Sequence, residues 1–425
     1  MKAILFILTT LAAAQNTSMP GMNMPMPSMP SMVEMNAAGM QLMDVASGTS
    51  VNPASATMPM LMSHFGSWNA MFMGNAFIVD TQQSGPRGGD KLYSPNVFMG
   101  ALGHRAGAKG YFLFDLMLSL EAATITGERY PELFQTGETA YGRPLYDAQH
   151  PHNFIMALGF HYSYEIADAT FFDAYFAPVG DPALGPVAYP HRASASELPE
   201  APLSHHLQDS THIADDVVTV GLSHQKLRLE ASGFHGAEPG ENRWIIQQGA
   251  IDSWSTRLWY FPAKNWAAQV SVGHLTHPEA LEPGDQLRST SSLSYTRSDW
   301  SSSLIWGRAH FNETGRNLNS YLAESEIPIS HKNFITGRVE LVDKDELFNG
   351  QPELQEQLDV LYGSTFRIGA YTLGYTRDIS LFSYVETGIG ANFSWYSLPG
   401  EIKPYYGNHP VGGNIFIRLR IKRNS

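Results

Sequence analysis

Between Tyr111 and Glu121 every second residue is large and apolar: Phe112, Phe114, Leu116, Leu118 and Leu120 share one face. Tyr111, Leu113, Asp115, Met117, Ser119 and Glu121 share the other. A helix, with its period of about 3.6 residues, mixes these two sets; a strand separates them by geometry. One wholly apolar face and one mixed face with acids suits a strand that has hydrocarbon on one side and a polar interior on the other. Phe154, Met156, Leu158, Phe160, Tyr162 and Tyr164 repeat the pattern opposite Asn153, Ala157, Gly159, His161 and Ser163. Ile415, Ile417, Leu419 and Ile421 do so opposite Arg418, Arg420 and Lys422.

Such segments recur about sixteen times (fourteen on a stricter count) from residue 63 onward, near the length a tilted spanning strand needs. Spans near 109–122, 214–224, 227–235 and 300–311 are among the clearest. Short connections, as at 106–108, 225–226 and 298–299, alternate with long ones, as at 123–151, 179–213, 236–251 and 343–364. Strict alternation of short and long links is the asymmetry of an outer-membrane barrel, with short turns in the periplasm and long loops outside. The expectation is therefore an all-β, transmembrane antiparallel barrel over residues 63–425. Aromatics at strand ends, among them Tyr93, Trp254, Trp266, Trp300 and Trp395, fit interfacial girdles. A soluble sandwich or propeller is the competing fold. The final strand runs into Lys422-Arg423-Asn424-Ser425 rather than ending on an aromatic residue, which leaves either a displaced assembly signal or a soluble barrel-like fold.

The N-terminus gives an address. Lys2, the apolar run Ala3 to Leu11 and Ala12-Ala13-Ala14 read as a signal peptide, residues 1–14. Export is expected, and the cell outer membrane of a Gram-negative bacterium is the destination a barrel implies. The chain has no cysteine, so disulfides contribute nothing to its stability. A net charge of −13 argues against nucleic acid as a partner.

Residues 15–62 follow a different grammar, rich in methionine and proline, and are expected to form a disordered periplasmic tail. Met22, Met24, Met26, Met29 and Met32 lie among prolines that exclude a helix. Met58, Met60, Met62 and His64 alternate, so an extended chain would send them to one side. Neutral thioether sulfur is a soft ligand suited to copper(I), and imidazole can complete such a site. A linker that drifted towards methionine is the bland alternative. Met71 and Met73, with Met99 and Met117, have the parity of the barrel interior, where they either extend the track of soft ligands or fill gaps.

The signal peptide, the tail MPGMNMPMPSMPSM, the segment MPMLMSH and the barrel together resemble the copper-resistance protein B family of Gram-negative bacteria. The resemblance is close over residues 19–64 and architectural elsewhere. It implies a part in periplasmic copper tolerance, by sequestration or outward passage, with copper(I) as ligand and a periplasmic copper protein as partner.

Histidines gather near two long links: His150 and His152 at the end of one, His191, His205, His206 and His212 in the next. With Asp209, Asp215 and Asp216 nearby, His150, His152, His205, His206 and His212 are candidate ligands for Zn²⁺, Cu²⁺ or Ni²⁺. Both links are expected outside or folded into the mouth; adjacent His205 and His206 on extended backbone would point apart, and the alternative is a set of hydrogen-bonding loop histidines pinning an inward-folded constriction. Asp115, Glu121, Arg228, Glu230, Arg257, Arg288, Glu324, Glu326, Arg338, Glu340, Glu386, Arg418 and Arg420 should line the lumen. Their mixed signs suit salt-bridge networks that stiffen it better than an ion-selective pore. No G-x-S-x-G, H-E-x-x-H or phosphate loop is present. The sequence thus points to a copper-handling barrel rather than an enzyme. A general porin or solute channel with an incidental tail is the alternative, and a barrel enzyme or adhesin comes after it.

Overall fold

A computed structural model describes residues 34–56, 59–280, 284–297, 300–349, 351 and 364–422. The signal peptide and Met22, Met24, Met26, Met29, Met32 and Met58 lie outside the described residues.

Sixteen antiparallel strands close into a barrel. They are β1 Trp68–Gln83, β2 Asn96–Ala106, β3 Gly110–Leu118, β4 Ile155–Ala167, β5 Thr170–Gly180, β6 Ala214–His224, β7 Leu227–His235 and β8 Ser253–Tyr260. Then follow β9 Trp266–Leu275, β10 Gln286–Arg297, β11 Trp300–Phe311, β12 Asn317–Ser330, β13 Asn333–Lys344, β14 Phe366–Ile379, β15 Val385–Ser397 and β16 Val411–Ile421. Each pairs with its neighbour in sequence, and β16 closes the wall on β1 from Gly412↔Gln83 to Arg420↔Asn75. Closure removes every unpaired edge, which a hydrocarbon environment demands.

The faces sort as the alternation requires. On β6 the lumen-side Val217, Thr219, Gly221 and Ser223 alternate with exposed Val218, Val220 and Leu222. Phe114, Leu116, Leu158, Phe172, Phe176, Leu304, Val339, Leu373 and Ile417 continue the exposed apolar surface around the barrel. A continuous belt of this kind far exceeds the few hundred Å² that soluble proteins expose; lipid is its solvent. Trp254, Trp266, Trp300 and Trp395 lie exposed at its margins, as girdle residues should. Tyr93 does not: it is buried and stacks on Tyr130 at 4.2 Å between ring centroids.

Three departures from the sequence reading shape the interior. First, residues 34–56 are folded rather than part of a loose tail, so the ordered chain begins well before residue 63. The helix Ala37–Leu42 is capped by Asn36, whose side chain accepts from the Gly39 N–H and donates to the carbonyls of Ala108 and Gly110 in the turn between β2 and β3. Ala38 and Leu42 bury themselves with Ala101, Tyr111 and Leu113 of the wall. This segment has its apolar partners on the barrel, not within itself, so its own composition gives no sign of a core.

Second, β3 stops at Leu118 instead of continuing to 122. The Asn96 side chain accepts the Leu120 N–H at 2.7 Å, and a short helix, Glu121–Thr124, turns the chain inward. Third, Met156 faces the interior at 1% exposure, although simple alternation puts it with the lipid-facing residues. A register shift between Ile155 and Ala157 reverses its parity, as an extra residue in one strand does.

Two of the long links fold inward. Residues 181–213 run through the lumen and are buried almost throughout. In the preceding link a hairpin, Tyr130–Ala140 with Arg143–Gln149, lies over them. The Gly142 N–H at its tip reaches Glu241 of a third link at 2.9 Å.

Candidate functional site

Ion pairs brace the inward link against the wall. Arg192, on the inward link, donates to Glu324 of β12 at 2.6 Å, and Arg338 of β13 donates to the same carboxylate at 3.0 Å. Ser194 and Ser204 add hydrogen bonds to Glu324 and Glu340, and Asn392 and Asn414 donate to Glu200. Arg418 and Arg420 both bind Glu197. On the other side Arg228 and Arg257 share Glu230. The mixed-sign residues expected in the lumen are there, and they work chiefly as ion-pair networks pinning the inward link to the wall. Buried charges need this pairing, because desolvation is otherwise prohibitive.

At the centre of that scaffold lies an array of imidazoles. His205 and His206 sit in the short helix His205–Gln208, not on extended backbone, so their rings stay 5.1 Å apart instead of pointing away from each other. His205 is 5.1 Å from His212, and His212 is 5.4 Å from His152. His206 is 5.9 Å from His150. All five candidate histidines from the two links therefore meet in one buried cluster. Tyr189 stands among them, its hydroxyl 3.3 Å from His152 Nε2.

The Nδ1 atoms are committed: His152 to Glu121 at 2.9 Å, His205 to Asp209 at 2.6 Å, and His212 to the Asp209 carbonyl at 2.8 Å. Nε2 of His191, His206 and His212 is buried without a hydrogen-bond partner. His150 Nε2 lies 2.8 Å from Glu138, which also binds Arg243. Sequence reasoning does not single out Glu138 or Tyr189; each stands in a polar link with no motif to mark it. Among the described residues no three His, Asp or Glu side chains converge as a metal ion would require. The array is assembled, but its carboxylates turn towards imidazoles rather than towards a shared point.

Burial sets the protonation of these links. It pushes His206 and His212 well below their ordinary value of 6.5, helped by neighbouring imidazoles. His191 falls to about 4 for the same reasons. Burial lowers His150 too, against the pull of Glu138. Burial would raise Glu138, but Arg243 and His150 outweigh it and hold the carboxyl below the usual range. These four imidazoles are thus neutral near pH 7.

Glycine makes one contact of this array possible. Gly137 has φ +108°, and a Cβ there would lie 2.7 Å from the His206 ring. Only glycine fits both the backbone and the space.

Towards the short-turn end the lining changes from imidazole to thioether. Met62 pairs with Met71, Met73 with Met99, and Met99 with Met117, each directly across neighbouring strands. Met117 and Met156 pack together further in. No methionine occurs after Met156, so all those of the barrel lie on β1–β4. A cavity of about 80 Å³ is lined by Met43, Met60, Met71, Met73 and Met99. Met73 and Met99 also border a cavity of about 250 Å³ that reaches His191. A third, of about 40 Å³, shares Pro190 and Ser196 with the second and touches Met156, His152 and Glu121. His64 lies apart from these cavities: it is exposed on the strand Leu61–Phe65, opposite Asn69.

No family model and no curated protein matches the chain. Among solved structures it is similar to OmpF of Salmonella typhi in complex with daunomycin, with TM-score 0.52 and 8% identity over 84% of this chain and 98% of that one. An anion-selective porin from Comamonas acidovorans gives TM-score 0.52 and 11% identity over 83% and 100%. OprB of Pseudomonas putida gives 0.50 and 8% over 84% and 94%. Identities this low speak for fold alone. The fold is that of a porin-type barrel of the Gram-negative outer membrane.

Proposed function

We propose that this barrel binds copper(I) at its periplasmic face and stores it or passes it through the outer membrane, supporting copper tolerance. The observation that carries this is the distribution of methionine. It is dense in residues 15–62, continues on one side of the wall at β1–β4, and is absent thereafter. Gap filling alone would scatter methionine around the lumen. Here Met62, at the end of the tail, stands opposite Met71, so soft ligands run from tail to wall. The test replaces Met22, Met24, Met26, Met29 and Met32 by leucine in the full chain. Copper tolerance of cells and Cu(I) uptake by the purified protein should both fall; if neither changes, the proposal is lost.

A general solute channel is the second reading, favoured by the likeness to porins in fold and by an inward link braced against charged walls. It expects single-channel conductance and solute uptake that ignore every methionine substitution. The near-complete burial of residues 181–213 weighs against it, since a general pore needs an open aqueous lumen.

A further inference from the structure

We infer that the cavity enclosed by Met43, Met60, Met71, Met73 and Met99 is a binding site for one monovalent soft cation, Cu(I) or its redox-stable analogue Ag(I). The inference rests on the copper reading above and goes further: it places a site inside the barrel that does not involve Met22, Met24, Met26, Met29 or Met32.

Methionine normally closes irregular gaps, because its three rotatable bonds let the thioether reach into them. Five methionines border this hollow, and it still measures about 80 Å³. A space of that size has room for more than one water, and only Asp44 and Asn52 contribute polar side chains to its lining. Thioethers ask for a different occupant. They are neutral, polarizable donors that discriminate for Cu(I) and against hard cations, which need oxygen. Asp44, also in the lining, can offset the ion's single charge.

The donors come from two directions. Met43 and Met60 belong to the segment that enters the lumen, while Met71, Met73 and Met99 belong to β1 and β2. Met73 and Met99 are held directly opposite each other by strand register. A bound ion would therefore bridge the inserted segment and the wall, and occupancy would tighten that segment in its seat. The same two side chains border the next cavity, so an ion here lies beside the one that reaches His191.

The experiment titrates full-length protein in detergent with Ag(I), counts bound ions by elemental analysis, and locates them by anomalous scattering. Two full-length variants are compared: M71L/M73L/M99L in the cavity, and M22L/M24L/M26L/M29L/M32L in the tail. Leucine conserves volume and polarity closely enough to keep the wall packed. The expected result is that the cavity variant binds one ion fewer than the parent and lacks the density that the parent shows beside Met99. The tail variant should keep that ion. A cavity variant that binds as many ions as the parent overturns the site and leaves the tail reading standing. No loss in either variant overturns both. Should the triple variant fail to insert, M99L alone serves. Its affinity for the cavity ion should fall by about tenfold or more, as loss of a ligand entails at least what loss of a supporting group does, and an unchanged affinity overturns the site.

Discussion

Met73 and Met99 stand directly opposite each other on β1 and β2, and Met117 on β3 stands opposite Met99 in turn. Strand register alone places these three thioethers in one row across the lumen wall. Their adjacency is thus a property of the backbone and persists whatever the loops do. The imidazole array is different in kind, since its members come from two links held in place by Glu121, Glu138 and Asp209. Wall and links are therefore supported by different contacts, and each contact can be broken on its own.

The inserted helix depends on a close contact between Gly39 and Tyr111. A Cβ on Gly39 would lie 2.6 Å from the Tyr111 ring, which is itself held by the Asn69 amide at 3.2 Å. Gly39→Val should therefore lift the helix Ala37–Leu42 off the wall. Asn36→Ala should weaken it more gently, by about 1 kcal/mol for the lost cap. Limited proteolysis from the periplasmic side should cut the Gly39→Val protein between residues 34 and 56, where the parent resists. Equal resistance would show that the contact does not hold the helix.

His206 and Gly137 form a similar pair. Gly137→Ala combines an unfavourable φ of +108° with a steric clash, whereas Gly142→Ala, at φ +69° with nothing within 4 Å, has the backbone term alone. Each strained φ costs about 1–3 kcal/mol. Thermal unfolding in detergent should therefore show Gly137→Ala as the more destabilised, and His206→Ala should recover the part of the difference that the clash causes, the rest belonging to the less favourable φ at Gly137. If the two glycine variants melt alike, the His206 contact is not tight.

Glu324 is the keystone beneath the inward link. Its carboxylate binds Arg192 and Arg338 together. In Glu324→Leu, Arg192 keeps Asp209 at 3.2 Å, so the loss falls mainly on Arg338. An uncompensated buried charge costs about 3–5 kcal/mol; Arg338 still donates to the Glu200 carbonyl at 3.3 Å, so the cost here should fall below that range. The link should detach at its wall side and conductance across planar bilayers should rise. Adding Arg338→Met removes the stranded charge and should bring conductance back down.

Much of the barrel is legible in the sequence, for physical reasons that differ by region. β6, β7 and β11 lie at the residues the alternation indicates, because lipid outside and a polar interior impose period two on every spanning segment. Alternation misplaces Met156 because a bulge leaves no trace in polarity. The link 179–213, rich in Pro, His, Ser and acids, reads as lying outside or folded into the mouth, and polarity alone does not choose between the two. Its polar groups are satisfied by wall residues such as Glu324, Glu340 and Asn392, and a pattern of polarity cannot tell water from a charged wall. His205 and His206 converge because a short helix stands where extended backbone is expected. Met71 and Met73 are legible as lumen residues, but their union with Met43 and Met60 requires the fold of residues 34–56.

The imidazole array should also make the seating of the inward link sensitive to acid. His206, His212, His150 and His191 all have values depressed below 6.5 by burial, His191 to about 4. A base held neutral in the folded state contributes stability that is complete above 6.5. Below 6.5 the unfolded link takes up protons that the folded one refuses, so stability declines as pH falls. The depressed carboxyls of Glu121, Glu138 and Asp209, where pairing with imidazoles and arginines outweighs burial, act in the same direction only nearer their ordinary values of 4.5 and 3.8. Loosening should thus begin between pH 6.5 and 5, driven by the imidazoles against the opposing effect of Asp181 and Glu200 in the same link, whose carboxyls burial raises, and deepen below. Conductance and external protease access to residues 181–213, followed from pH 7.5 to 4, should rise in that first window. In His206→Gln/His212→Gln the first step should shrink while the carboxylate step remains, since glutamine does not titrate. A first step of undiminished size in that variant would assign the acid response to groups other than these imidazoles.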